Sequence, residues 1–365
     1  MRYLYGFIRN IKYWYNWLFD KPVVPESVSL ELTYRCNARC GFCKRWKLPP
    51  KEELTLQDYK ELADDMHLIG VKQVNLTGGE PFLREDIIFI IDLFLDKNIV
   101  VYINTNGVLL DKYSEEISKR KLSIKISIDS PFEETHDKIR GVKNFYKKAI
   151  DNLKSLKGKG VDISIGAVVC KENIDEMDEY IEFAKKLDTK LRFQPVHDDR
   201  LSNLSIIDPA FKFNSLDSER INKNFESVVK LFKKSPNPVW TDEIYYKLTP
   251  LFLTKPQQFL KIKCIPAGRL IYFIDPYGNV FPCESRRDIK FGNIRNEKFS
   301  DVIKNKKNKD FRKLMRKNKR DCVCWYRCIG PNLIRDQFLP LMNIPKTGGF
   351  PLKQLWNLKI NRIKK

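Results

Sequence analysis

The stretch "CNARCGFC", Cys36 to Cys43, places three thiols within eight residues. It follows directly on "SVSLELT", whose alternation from Ser27 predicts a β-strand. A disulfide, a zinc site, a redox pair and an iron–sulfur cluster each use thiols differently. A structural zinc site takes four ligands, usually as two C-x2-C pairs. No fourth ligand lies nearby, since His67, His136 and His197 are far along the chain. A thioredoxin-like pair needs only two thiols, spaced C-x-x-C. Three thiolates spaced C-x3-C-x2-C on a loop after a strand suit a [4Fe–4S] cluster with one iron lacking a protein ligand. Such an iron is an open position for substrate or cofactor, by the logic of open catalytic metal sites.

The rest of the composition is that of a folded protein. The chain has 365 residues, 42% hydrophobic and 31% charged, enough for one large or two ordinary domains. No segment reaches the roughly 18 uninterrupted apolar residues of a membrane span. Met1–Lys21 lacks the compact apolar region and small-residue cleavage site of a secretory signal, so a cytoplasmic location is expected. Nine cysteines, an odd and clustered set, read as metal-binding or catalytic sooner than disulfide-bonded. The net charge of +21 suits an anionic partner. The basic residues are dispersed, however, and no nucleic-acid motif accompanies them, which argues for a lysine-rich surface and against nucleic acid. The densest basic run, Ile303–Arg320, carries Phe311, Leu314 and Met315 and predicts a solvated basic helix.

From Ser27 onward, strand-like and helix-like segments alternate six times. The strands are "SVSLELT", "VKQVNLT", "IVVYINT", "LSIKISI", "VDISIGAVV" and "KLRFQPV"; amphipathic stretches such as "LTLQDYKELADDMHLIG" lie between them. In that stretch Thr55 and Asp58 form a capping box, Tyr59, Leu62, Ala63 and Met66 share one face, and Gly70 closes the helix. The alternation predicts a parallel sheet with outer helices, a partial (β/α)6 barrel whose ligands sit at the carboxyl ends of the strands. It stops near His197. A helix is expected over Asp217–Lys234, then Pro/Trp-rich connecting sequence. "LIYFIDPYGNVFPC" predicts a β-hairpin turning at Pro276–Asn279.

The motifs at the strand ends resemble those of the radical S-adenosylmethionine superfamily. The cysteine triplet, with Phe42 before its last member, follows the first strand. "TGGEP", Thr77 to Pro81, ends the second, and "NTNG", Asn104 to Gly107, the third. "SIDSP" with "HDKIRG" ends the fourth, and "QPV" to Val196 the sixth. The resemblance implies a [4Fe–4S] cluster held by Cys36, Cys40 and Cys43. It also implies S-adenosylmethionine contacted by Gly78, Gly79, Glu80, Pro81, Asn104, Asn106, Ser127, Arg140 and Val196. Glycines permit close approach of backbone to a ligand, Glu80 offers an acceptor for the ammonium, and Arg140 pairs with a carboxylate. The implied activity is reductive cleavage of S-adenosylmethionine to a 5′-deoxyadenosyl radical that abstracts hydrogen from a substrate. An electron donor such as ferredoxin or flavodoxin is an implied partner.

The second cysteine group, Cys264, Cys283, Cys322, Cys324 and Cys328, resembles the SPASM and twitch extensions of this superfamily. These bind auxiliary [4Fe–4S] clusters. A full SPASM domain has seven cysteines; five imply one auxiliary cluster, with Cys322 and Cys324 in competition as ligands. A structural zinc is the alternative. Cys170, flanked by apolar residues, reads as a buried thiol. The expected organisation is an N-terminal helix (1–22), barrel (23–215), helical connection (216–260), small cysteine-rich domain (261–335) and basic tail (336–365). Leu4, Phe7, Ile8, Ile11, Tyr15 and Leu18 recur at helical spacing among basic residues. That helix suits peripheral contact of residues 1–21 with the inner face of a membrane, or packing on the protein's own body. Peptide or protein modification is the leading expectation for the substrate. The alternatives are a lipid-linked, sugar or tetrapyrrole substrate, or a noncatalytic iron–sulfur scaffold.

Overall fold

The computed structural model describes residues 24–197, 204, 207–233, 240–261, 264, 266–317 and 321–326. Six strands follow the sequence periodicity: β1 (Ser27–Glu31), β2 (Gln73–Thr77), β3 (Val100–Thr105), β4 (Ser123–Ser127), β5 (Asp162–Val169) and β6 (Lys190–Pro195). They lie side by side in chain order, each pair parallel. Between them run α1 (Leu56–Ile69), α2 (Ile87–Leu95), α3 (Ser114–Ser118), α4 (Glu133–Arg140), α5 (Phe145–Gly158) and α6 (Met177–Lys186). The apolar residues of the strands alternate into the interior: Val28 and Leu30 of β1 pair in register with Val74 and Leu76 of β2, all buried. α1 begins as its sequence dictates. The Thr55 hydroxyl accepts from the Asp58 N–H, and the Asp58 carboxylate accepts from the Thr55 N–H. Gly70 closes the helix at φ +86°.

The sheet does not end at β1. β7 (Ile271–Ile274) pairs parallel to β1, and β8 (Asn279–Phe281) and β9 (Gly292–Asn293) extend it antiparallel, giving nine strands in the order β6-β5-β4-β3-β2-β1-β7-β8-β9. The hairpin turns at Pro276–Asn279 as expected, with Gly278 at φ +85°. All four residues of β7 are buried, the pattern of a strand covered on both faces. The hairpin is therefore an extension of the barrel sheet, a junction that periodicity alone does not reveal.

Four further helices follow β6. α7 (Ser218–Lys233) lies where a helix is expected. α8 (Trp240–Thr254) lies in the Pro/Trp-rich connecting sequence and runs through Pro250. Its Tyr245, Tyr246, Leu248 and Phe252 are buried, and this burial outweighs the proline's interruption of the helix. After the short α9 (Phe299–Val302), the basic run forms α10 (Lys306–Arg316), with Phe311 and Met315 buried and its lysines outward. Cys170 is fully buried, as read. Among the described residues no helix is long and apolar enough to cross a membrane. Residues 1–21, the tail from 336, and Cys328 lie outside the described residues.

α4 is an element the sequence did not announce, because "EETHDKIR" is almost wholly polar. It buries His136 and Ile139 completely. The Asp129 N–H donates to His136 Nδ1 at 3.1 Å. Burial, aided by Arg140, lowers the imidazole from 6.5 to about 3. The unfolded chain thus takes up a proton that the folded chain refuses. Stability from this group is complete above pH 6.5 and declines as pH falls toward 3, by about 2 kcal/mol at pH 5. Urea unfolding of wild type and His136→Asn, which keeps an acceptor for the Asp129 N–H, should show the shallower acid slope in the variant; equal slopes would remove His136 as the cause.

Candidate functional site

The cysteine loop leaves β1 at its carboxyl end, where a parallel α/β sheet presents its ligands. Four neighbouring segments hold it. From the β2 end, the Gly79 N–H donates to Thr33 O at 2.7 Å and the Glu80 N–H to Arg35 O at 2.9 Å. From the β3 end, Asn106 Nδ2 donates to Asn37 Oδ1 at 2.6 Å. The carbonyl of Arg140, last residue of α4, accepts from the Arg39 N–H at 2.8 Å. The Asp208 N–H, beyond β6, donates to Gly41 O at 2.9 Å. The motifs that recur down the sequence are thus the braces of one loop.

The glycines of "TGGEP" serve this packing. A Cβ on Gly78, at φ +133°, would lie 2.4 Å from Thr33 O, and one on Gly79 would lie 2.2 Å from Arg35 O. The backbone these glycines approach is the protein's own. Pro81, buried, starts a short 3-10 turn. Glu80 is fully buried and ties this loop to the next: its carboxylate accepts from Thr105 Oγ1 at 2.7 Å, the Asn106 N–H at 2.8 Å and the Phe82 N–H at 3.2 Å. Burial pushes the Glu80 pKa up and these donors pull it back. Asn104 turns to the neighbouring strand, donating to Asn75 Oδ1 at 2.8 Å. Ser127 is half-buried at the end of β4, and Val196 is buried just after β6.

The three thiols share a small apolar cluster with Ala38, Val108, Phe145, Phe42 and Val142. Burial lifts Cys36 to about 12 and Cys40 to about 11, each thiol also being raised by its two neighbours in the triplet or by the nearer one. Two guanidinium groups point at sulfurs: Arg140 Nη1 lies 3.7 Å from Cys40 Sγ and Arg45 Nη1 lies 3.8 Å from Cys43 Sγ. Arg140 also forms an ion pair with Asp129 at 2.7 Å, while its Nε is buried with no hydrogen-bond partner. A buried, unpaired N–H on the guanidinium that faces Cys40 calls for an acceptor. Soft thiolates as the only donors, with cationic groups beside them, fit a [4Fe–4S] cluster and an anionic cofactor group next to it.

The second thiol group converges too. Cys264, Cys283, Cys322 and Cys324 are all buried. Burial pushes the Cys283 thiol far up, and Cys264, Cys322 and Cys324 add to that rise. Cys322 and Cys324 are thus both neighbours of Cys283. The segment carrying them is anchored by an interaction that sequence reasoning missed. The Trp325 N–H donates to His197 Nε2 at 2.9 Å, so the His197 proton sits on Nδ1, which donates to Pro195 O at 2.7 Å. Tyr326 stacks on the His197 ring at 3.9 Å, and Trp325 Nε1 donates to Thr249 Oγ1 of α8 at 3.1 Å. Among the described residues no three His, Cys, Asp or Glu groups meet as ligands of one metal ion. A cavity of about 1380 Å³ runs along α6 between β6 and α7, lined by Lys190–Arg192 at the amino end of β6 and by Pro131 and Phe132 beyond the carboxyl end of β4.

Residues 30–184 match the radical SAM superfamily. Residues 264–329 match SPASM, an iron–sulfur cluster-binding domain, so a radical SAM match and a SPASM match stand on one chain. A [4Fe–4S] cluster, S-adenosylmethionine and auxiliary iron–sulfur binding are the cofactors of this class. Mycofactocin maturase MftC of Mycolicibacterium smegmatis is 28% identical over 277 residues, 74% of this chain and 67% of that protein. PqqA peptide cyclase of Bradyrhizobium diazoefficiens is 25% identical, with 73% and 68% covered. AdoMet-dependent heme synthase of Methanosarcina barkeri is 28% identical, with 77% and 82% covered. The chain spans 60% to 67% of the length of the first relatives, the mycobacterial maturases of M. smegmatis and M. tuberculosis and AlbA of Bacillus subtilis. The fold is that of Streptococcus suis SuiB bound to S-adenosylmethionine: TM-score 0.62 at 17% identity, covering 83% of this chain and 71% of that one.

Proposed function

We propose that this protein is a radical S-adenosylmethionine enzyme that modifies a peptide or protein substrate. The observation that carries the reading is the convergence of Cys36, Cys40 and Cys43 with Arg140 on one braced loop at the carboxyl ends of the strands. The names of relatives, a maturase and a peptide cyclase, support the peptide class. The heme synthase favours a second reading, a tetrapyrrole substrate.

In this reading Cys36, Cys40 and Cys43 hold the first cluster and leave one iron to S-adenosylmethionine. Together these two cofactors supply one-electron chemistry that removes a hydrogen atom from a substrate. The protein's own residues orient and shield. Arg140, kept charged by Asp129, offers its free Nε to the carboxylate of the cofactor. Glu80, held by Thr105 and Asn106, supplies negative charge toward its ammonium group. Gly78, Gly79 and Pro81 shape that loop, Asn104 and Ser127 line neighbouring strand ends, and Val196 forms an apolar wall for the adenine. Cys264, Cys283, Cys322 and Cys324 hold one auxiliary [4Fe–4S] cluster, and a ferredoxin or flavodoxin supplies the electron. The domain limits near residues 215 and 260, a cytoplasmic location, and membrane contact through residues 1–21 belong to the same reading.

Anaerobic reconstitution with iron and sulfide, then reduction with dithionite in the presence of S-adenosylmethionine, tests it. The expected product is 5′-deoxyadenosine, with iron corresponding to two clusters. Reduced clusters without that product would favour a noncatalytic scaffold. Co-expression with short peptides encoded beside the gene should give a peptide of altered mass; an unaltered set, with a tetrapyrrole converted instead, would move the substrate to the second class.

A further inference from the structure

A closed ring of four buried charges joins the two cysteine segments. Arg45 Nε contacts Glu31 Oε1 at 2.6 Å, and its Nη2 contacts Glu284 Oε1. Arg287 Nη1 contacts Glu31 Oε2 at 2.7 Å, and its Nη2 contacts Glu284 Oε2 at 3.0 Å. Each carboxylate divides its two oxygens between the two guanidinium groups, and the ring is neutral. The side chains are 12% exposed for Arg45, 9% for Glu284, 6% for Arg287 and 0% for Glu31. Taking four charges out of water is costly unless each is paired, so no member can leave without leaving a partner exposed to that cost. The members come from distant places: the end of β1, two residues after Cys43, directly after Cys283, and the turn beyond it. Arg287 is further pinned over the Phe273 ring at 4.9 Å and donates to Tyr34 OH at 3.1 Å.

Arg45 uses two of its three nitrogens in the ring and aims the third, Nη1, at Cys43 Sγ. We propose that the ring positions this hydrogen bond, so that the segment bearing Cys283 sets the reduction potential of the cluster held by Cys43. The inference rests on the reading of Cys36, Cys40 and Cys43 as cluster ligands. A donor to a ligand sulfur stabilises the reduced, more negative cluster and raises its potential. The planar guanidinium is suited to the task, since its fork reaches two carboxylates and a sulfur at once; a lysine ammonium on a flexible stem does not. Arg45 is thus a positioning residue for the first cluster, and Glu284 fixes it from the auxiliary segment.

The test is an EPR-monitored redox titration of the reconstituted full chain, with the first cluster recognised by the change in its signal on adding S-adenosylmethionine. Arg45→Met should move that cluster's midpoint to more negative potential, and Arg45→Lys should give a smaller shift in the same direction. Glu284→Gln should shift it as well, and the double variant should differ from the sum of the two single shifts, because both act through one hydrogen bond. An unchanged midpoint in Arg45→Met, or strictly additive shifts, would overturn the proposal. Arg45→Lys keeps the charge balance and so tests the potential even where the other variants fold poorly. A wild-type protein whose signal does not respond to S-adenosylmethionine would instead refute the reading of the triplet and leave the ring a structural strut.

Discussion

Cys40→Ser is expected to abolish formation of 5′-deoxyadenosine and to remove about four irons per chain, one [4Fe–4S] cluster. Cys40 is the most enclosed thiol of the triplet, packed with Ala38, Val108 and Phe145 and facing Arg140 Nη1 at 3.7 Å. Serine occupies nearly the same volume, so the loop's packing and its braces from Asn106, Glu80 and Arg140 should survive. Oxygen, however, is a hard ligand in a site built for soft thiolates. The triplet also has no spare member, because under the proposed assignment three thiolates would already leave one iron open. Iron analysis, visible absorption and chromatography of the reaction mixture check the outcome. Retained cleavage of S-adenosylmethionine in this variant would overturn the assignment of the triplet, while loss of activity with full iron content would point to positioning and not ligation.

Gly79→Ala is expected to destabilise the fold by about 3 kcal/mol and to lower cleavage of S-adenosylmethionine at least about tenfold. A methyl group there meets the carbonyl oxygen of Arg35 at 2.2 Å, a contact that no side-chain rotation relieves, because the obstacle is backbone. The loops must separate, and the bond from the Glu80 N–H to Arg35 O stretches first. The cysteine loop then loses one of its braces, which is why activity should fall together with stability. Gly158→Ala, at the end of α5, is the control: its Cβ would meet nothing within 4 Å, so a neutral or slightly stabilising effect is expected there. Denaturant midpoints for the two variants, with cofactor cleavage under saturating and limiting S-adenosylmethionine, separate the two effects. Equal stability of the two variants would show that the loops yield more easily than their contacts imply.

Much of the barrel was legible because its signals are local. Period-two apolar runs became β1–β6, and the capping box at Thr55 became the start of α1. What eluded the sequence was either polar or interrupted. α4 has little apolar periodicity, and its few buried side chains make it a helix. α8 passes through Pro250, and the aromatic residues packed on its neighbours hold it. β7 was readable as a strand but not as the neighbour of β1, since register with a strand over two hundred residues earlier carries no local mark. His197 offered no signal either. Its role depends on the N–H of Trp325, 128 positions away.

By itself, the sequence carried the signature on which the proposed chemistry rests: three thiols with the spacing of a cluster that leaves one iron free, and ordered motifs at successive strand ends. Those properties reside in residue types and short spacings, which survive without coordinates. Only the tertiary structure decided how that chemistry is held. It showed the glycines packed against the protein's own backbone, Glu80 tying one loop to the next, and Arg45 joined to Glu284 across 239 positions. Arginine and glutamate are common on any surface, and nothing in their order along the chain distinguishes a solvated pair from a buried one. Burial raises the energetic cost of leaving these charges unpaired, and burial is a property of the folded chain.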